Sequence, residues 1–152
     1  MAKKRNQIAM SMDEVWSFIK EQKCLQVATI NKDGSPHLTT LFFAIVDDAI
    51  VFETFTKSQK IANLKRDPRI ALLLEDGTTY NELRGVSINA TAEIHSEPEK
   101  VQALARHVVM RNYPETPRDG LDEAARNLAS KRSGVVVRLE KVVSWDHHKL
   151  AT

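Results

Sequence analysis

Seven consecutive residues, Thr54-Phe55-Thr56-Lys57-Ser58-Gln59-Lys60, place three hydroxyls, an amide and two ammonium groups at the head of a short helical pattern. Where such a segment leaves a strand and enters a helix, the unpaired N–H groups of the first turn join the side chains. The helix dipole there favours negative charge, so the chemistry on offer is binding of a phosphate or another anion. The same residue types also make an ordinary solvent-facing cap, Ser58 above all, and local sequence leaves both readings open.

The other reactive residue types are less organised. His147 and His148 are adjacent and do not converge on one ion, while His37, His95 and His107 lie on separate segments without ligand spacing, so no metal site is expected. Cys24 is single, which rules out an intrachain disulfide, and it reads as a half-buried structural thiol rather than a nucleophile. A G-x-S-x-G elbow, a P-loop and a G-x-G-x-x-G fingerprint are all missing, so hydrolase, nucleoside-triphosphatase and Rossmann readings lack their physical parts. The closing run Ser144-Trp145-Asp146-His147-His148-Lys149 gathers an indole, two imidazoles, an acid and a base. It either anchors its Trp to the core or a partner, or reaches a neighbouring subunit's cofactor pocket.

The elements that must position these groups follow from pattern. Ser11-x-x-Glu14 is a capping box, and Val15, Phe18, Ile19 and Gln22 continue it at helical spacing, which predicts a helix over 11–22. Leu25–Ile30 and His37–Val46 flank the turn cluster 31–36 as a hairpin, and Asp47-Asp48 turns into a third strand over 49–54. Ser58 caps a short helix carrying Ile61, Ala62 and Leu64, which Asp67-Pro68 stops. A strand over 69–74, a polar loop over 75–83 and a strongly alternating strand through Val86, Ile88, Ala90, Ala92 and Ile94 come next. Ser96 reads as the cap of a helix ending near Asn112, a shorter helix carries Leu121, Ala125 and Leu128, and strands through Val135–Leu139 and Lys141–Trp145 close the chain.

Six to seven strands at hairpin-like spacing, with helices at the start and after residue 97, predict a mainly β, α+β architecture: an antiparallel, closed or partly closed barrel with peripheral helices. The 152 residues suit one domain over 11–152, with 1–10 as a flexible tail. A formal net charge of +2, partly in Lys3-Lys4-Arg5, gives no reason to expect a nucleic-acid partner. No apolar run reaches the ~20 residues of a membrane span, and no secretory signal opens the chain, so a cytoplasmic location is expected.

Over about residues 12–150 the chain resembles the pyridoxamine 5′-phosphate oxidase-like split β-barrel superfamily, in particular its short actinobacterial-type members that use the deazaflavin coenzyme F(420). The resemblance is carried by Ala28-Thr29-Ile30 with the run Asp33 to Phe43, by Thr54, Ser58, Lys60, Leu64, Asp67 and Pro68, and by Ser144-Trp145-Asp146-His147 with Lys149-Leu150. It implies a homodimer with a cofactor in each groove between subunits. Thr39, Thr40 and Leu41 would line the isoalloxazine-like ring, and Thr54, Lys57, Ser58, Gln59 and Lys60 would meet the phosphate. Tyr80, Leu83, Arg84 and Trp145 would approach cofactor or substrate, Tyr80 and Arg84 as candidate polarising groups. Gln59 stands where the flavin-binding oxidases usually carry Arg, and Gly85 where the vitamin oxidases carry a ring-contacting Gln. The resemblance implies hydride transfer from reduced F(420) to a small unsaturated or conjugated acceptor. The alternatives are an FMN-dependent oxidase or reductase and a non-catalytic carrier of flavin, deazaflavin or haem.

Overall fold

The computed structural model describes residues 2–150; residue 1 and residues 151–152, part of the expected tail and domain, lie outside the described residues. Eight strands form one curled antiparallel sheet: β1 (Leu25–Ile30), β2 (Pro36–Leu41), β3 (Ala44–Val46), β4 (Ala49–Phe55), β5 (Arg69–Asp76), β6 (Arg84–His95), β7 (Arg132–Arg138) and β8 (Lys141–Asp146). Five helices lie at its periphery: α1 (Ala2–Ile8), α2 (Met12–Glu21), α3 (Gln59–Arg66), α4 (Pro98–Asn112) and α5 (Leu121–Ala129). The strand order is β2-β1-β5-β6-β7-β4-β3, with β8 also paired to β6.

The twelve-residue β6 is the hinge of this half-barrel. Its first half pairs with β8, from Arg84 opposite Asp146 to Asn89 opposite Lys141, and its second half pairs with β7, from Ala92 opposite Val137 to His95 opposite Gly134. The ladder passes from one strand to the other at Leu139-Glu140, and there the Glu140 carboxylate accepts a 3.2 Å bond from the Thr91 amide, an N–H that the change of partner would otherwise orphan.

Turn chemistry explains the hairpins. In the β1–β2 turn Gly34 takes a φ of +87° that only glycine adopts freely, and Asp33 accepts from the Ser35 amide at 3.0 Å. Asp47 and Asp48 both have positive φ, as a two-residue hairpin between twisted strands requires.

The expected strand over 37–46 is two strands. Phe43 is fully buried, its carbonyl accepts from Asn112 Nδ2 at 2.9 Å, and the Arg111 guanidinium lies 4.0 Å over its ring. Those contacts with the end of α4 divert the chain from its pairing with β1 to its pairing with β4. Asn112 and Arg111 lie some seventy residues away in sequence, beyond the reach of local periodicity.

The main core packs Val15, Phe18 and Ile19 of α2 and Ile61 and Leu64 of α3 against Leu25, Val27, Phe52, Leu72, Ile88 and Val135. A second cluster joins Leu104 and Val108 of α4 to Val51 and Val136. Three local expectations are corrected. Residues 2–8, expected within a flexible tail, form a helix, and the chain behind it is tied down by Met10 N donating to Ser144 Oγ at 2.9 Å and by Lys149 Nζ on the Ala9 carbonyl at 2.9 Å and the Glu14 carboxylate at 2.7 Å. Ser96 is not the cap of α4, since Glu97 holds that position without a side-chain bond. Cys24 is exposed rather than half-buried. Among the described residues no helix is long and apolar enough to cross a membrane.

Candidate cofactor site

The segment 54–60 does leave a strand and enter a helix. β4 ends at Phe55 and α3 opens at Gln59 with Ser58 as its N-cap, whose Oγ accepts from the Ile61 amide at 3.3 Å while its carbonyl accepts from Ala62 at 3.2 Å. Among the described residues the amides of Gln59 and Lys60 have no such partner, so they are the donors free for an anion. Lys60 is half-buried, and burial holds its ammonium below the ordinary lysine range. Among the described residues it pairs with no carboxylate. A partly desolvated cation without a counter-ion, beside free helix amides, is the electrostatic signature of an anion site. Lys57 is exposed on the turn, whereas Thr54 is buried beneath it, opposite Ser133 of β7.

The helix is aimed by a residue that sequence reading missed. Asn63 is fully buried and donates to Thr29 Oγ1 at 3.0 Å and Asn31 Oδ1 at 2.9 Å, while its own oxygen accepts from Gln59 Nε2 at 2.8 Å. Gln59 thus spends its amide on orienting α3 rather than reaching freely outward. The expected inward face named Ala62, which is exposed; Asn63 takes that place. The i, i+4 spacing of Gln59 and Asn63 was the available signal.

Thr39, Thr40 and Leu41 lie on β2, the end strand of the sheet path, paired with β1 on one side only. Its other edge leaves backbone donors and acceptors for a ligand. Thr39 Oγ1 and His37 Nδ1 are buried atoms without a hydrogen-bond partner, so this edge carries polar groups that a bound ring or its substituents would satisfy. The donor set fits a phosphorylated, ring-bearing cofactor: a cation and two amides at one end, orphaned polar atoms and open backbone at the other.

The remaining candidates gather at the opposite end of β6. Trp145 lies opposite Gly85, and a Cβ on Gly85 would come 2.1 Å from Trp145 Cζ2, so glycine is what lets the indole lie on the strand. The indole therefore fills the place from which a longer side chain at 85 would project. Leu83 accepts from the His147 amide at 2.9 Å. His147 Nδ1 donates to the Tyr80 carbonyl at 2.6 Å, and the two rings meet edge-on at 4.6 Å, which clasps the 77–83 loop to the end of β8. Tyr80 remains 69% exposed. Arg84 is committed: its guanidinium donates to Asp76 at 2.6 and 3.0 Å, reaches Glu21 at 3.2 Å and lies 5.0 Å from the Phe18 ring centroid. That ion-paired group is not a free polarising cation, and its partners on α2 and β5 carry no local sequence signal.

Thus Thr54–Lys60 are brought together, and Leu83, Arg84 and Trp145 are brought together, but the two groups are apart. The turn is registered through β7 to the His95 end of β6 and Trp145 to the Gly85 end, about ten residues or ~33 Å of strand away. Between them lies the outer face of the sheet. The rows Leu38–Ala28–Ala71–Asn89–Lys141 and Thr40–Gln26–Leu73–Ser87–Val143 run across β2, β1, β5, β6 and β8, with Leu38 68% and Val143 48% exposed.

A family profile described as Pyridoxamine 5′-phosphate oxidase matches residues 11–146, almost the whole of this half-barrel. The chain belongs to that family. It is 35% identical to the pyridoxine/pyridoxamine 5′-phosphate oxidase of Kineococcus radiotolerans over 81 residues, which is 53% of this chain and 35% of the relative, so the likeness spans about a third of that protein. Among solved structures, the conserved hypothetical protein Rv2991 of Mycobacterium tuberculosis is 40% identical with a TM-score of 0.90, covering 97% of this chain and 92% of that one. An F(420) reductase shares the fold at 23% identity and a TM-score of 0.63, covering 83% of this chain and 93% of that one. The family is one named for an oxidase, and Lys60, paired with no carboxylate among the described residues, is the feature of this chain that suits an anion.

Proposed function

We propose that the protein is a homodimeric oxidoreductase that uses reduced coenzyme F(420) to reduce a small unsaturated or conjugated acceptor. The observation that carries the proposal is Lys60, half-buried at a helix start whose first amides are free and paired with no carboxylate among the described residues. In this reading Lys60, Lys57, Ser58 and the Gln59 and Lys60 amides hold the phosphate, and the edge of β2 at Thr39–Leu41 positions the ring. The bound coenzyme supplies the hydride chemistry; the chain supplies orientation and exclusion of water.

A second copy is part of the proposal because one chain separates its two candidate groups by the length of β6. Docking across the outer face would bring the Trp145 end of one subunit toward the Lys60 turn of the other. Leu38 and Val143 are exposed apolar groups on that face, and such a patch is suited to burial against another chain. Because Arg84 is ion-paired, the proton that accompanies reduction comes from solvent or from Tyr80, whose ring is the exposed member of the cluster.

Membership in a family named for a flavin oxidase supports a second reading, the same site loaded with FMN. Titration of the purified protein with F(420) and with FMN separates the two: tighter binding of F(420), followed by its oxidation when acceptors are added, supports the proposal. Tight FMN binding with none of F(420) reverses it, and stoichiometric binding without oxidation of either would make the protein a carrier.

A further inference from the structure

A pocket of about 310 Å³ opens between the start of α4, the end of α5 and the start of β7. Three of its lining residues are cations, Arg126, Lys131 and Arg132, and none is an acid; Ser96, Gln102 and Ser130 add polar groups, and the remaining walls are apolar. The pocket is separate from the turn before α3. A Cβ on Gly134 would come 2.6 Å from Leu104 Cδ1, so Gly134 faces α4, and Arg132, two residues earlier on the same strand, shares that face of the β4–β7 ladder. α3 packs on the other face, with Phe52 and Val135. No lining residue belongs to the two rows that cross the outer face, where the proposed copies would dock.

Among the described residues Arg126 and Lys131 enter no ion pair. Arg132 has one, to Glu53 at 3.4 Å, and burial pushes that carboxyl up to about 7, so near neutral pH it compensates the guanidinium only in part. Lys131 has a φ of +59°. It follows Ser130, the C-cap of α5, at the place where helices most often put glycine, because a Cβ is strained in the left-handed region. A lysine there brings charge to the pocket despite a strained backbone, and such outliers gather at ligand sites.

From these features we infer that the pocket is a second anion site, which takes the phosphate group of a small phosphorylated molecule distinct from the cofactor proposed at the Lys60 turn. Cations from a helix, a loop and a strand favour a tetrahedral dianion, whose oxygens accept from several directions, over a planar carboxylate that one guanidinium fork satisfies. The volume lies at the lower end of small-molecule sites, which leaves room against the apolar walls for a small organic body beside the phosphate. This site does not depend on the redox reading.

The test titrates the isotope-labelled protein with glycerol 3-phosphate and with succinate at constant ionic strength, above the second ionisation of the phosphate. NMR reads the backbone amides of Ser130 and Arg132 at the pocket and those of Gln59 and Lys60 at the turn. Glycerol 3-phosphate is expected to shift the pocket amides to saturation and to bind there about tenfold more tightly than succinate. Arg126→Gln together with Lys131→Gly should weaken that binding by about tenfold or more. Arg126 is exposed and unpaired, and glycine relieves the left-handed strain at 131, so the double variant keeps its fold. Lys60→Ala, and Arg118→Gln outside the pocket, should leave the pocket's affinity unchanged. The second site is overturned if the pocket amides do not saturate, if succinate binds there as tightly, or if the double variant keeps its affinity. A response confined to the turn defeats the pocket alone, and a response confined to the pocket supports it while counting against the cradle at Lys60.

Discussion

On the proposed reading Lys60 meets the cofactor's phosphate, so replacing it by Ala removes one charge-assisted contact worth about 1.5–3 kcal/mol and should weaken F(420) or FMN binding by about tenfold or more in a fluorescence titration. Lys57→Ala should cost less, because Lys57 is exposed and its charge is screened by water. At the far end of β6, Gly85→Ala should expel the indole from its seat, visible as a red shift and broadening of Trp145 emission in a Trp16→Phe background, since the new Cβ and Cζ2 cannot both occupy their places. The sequence reading named Lys60, Lys57 and Gly85. The Lys60 turn is contiguous, so its residue types stand together in the sequence, while an ordinary helix cap stays open there until the resemblance to the family is added. The ion pairs of Arg84 were not legible, because Asp76 and Glu21 meet it only through the β5–β6 ladder and the packing of α2.

At the scale of elements, α3 is tied to the β1–β2 hairpin by the buried amide of Asn63 and by Arg66 on the Ile30 carbonyl. Asn63→Ala should destabilise the protein by about 1–3 kcal/mol in chemical denaturation, because Thr29 and Asn31 lose a buried partner, and should also loosen the anion turn that α3 opens. The strand beneath that turn carries a second buried polar group. Glu53 is 8% exposed, one of its oxygens has no partner, and Arg132 stands 3.4 Å from the other. Burial pushes its carboxyl up to about 7, against the lowering by Arg132. Because the folded state holds this proton more tightly than the unfolded chain, stability is greatest below the ordinary carboxylate range and falls as pH rises from about 4.5 to about 7, by on the order of 2–4 kcal/mol. Denaturation midpoints should therefore decline through that window, and Glu53→Gln should flatten the decline. The boundaries of α2, α3, β1, β4 and β6 were legible because each has a cap, a turn or a clean period; the break at Phe43 and the helix at residues 2–8 were not, because α4 and the β8 end impose them from a distance.

For the whole molecule, the half-barrel was readable from the count and spacing of strands, since antiparallel hairpins write themselves into the sequence as alternation and turns. Which residues share a site was not, because the two candidate groups sit at opposite ends of β6 and the proposal joins them only through a second copy. If the proposed dimer docks across the outer face, Ala71→Arg in the middle of that face should convert a species sedimenting with the mass of two chains into one with the mass of one and abolish cofactor binding with it. The central claim is that the turn before α3 is a phosphate cradle. Its most direct measurement compares each candidate coenzyme with its own dephosphorylated form, FMN with riboflavin and F(420) with its phosphate-free deazaflavin, by calorimetric titration of wild type and Lys60→Ala. The phosphorylated form of at least one pair should bind wild type about tenfold or more tightly than its counterpart and lose that advantage in the variant. Equal affinity within both pairs, or an advantage that survives loss of Lys60, would contradict it.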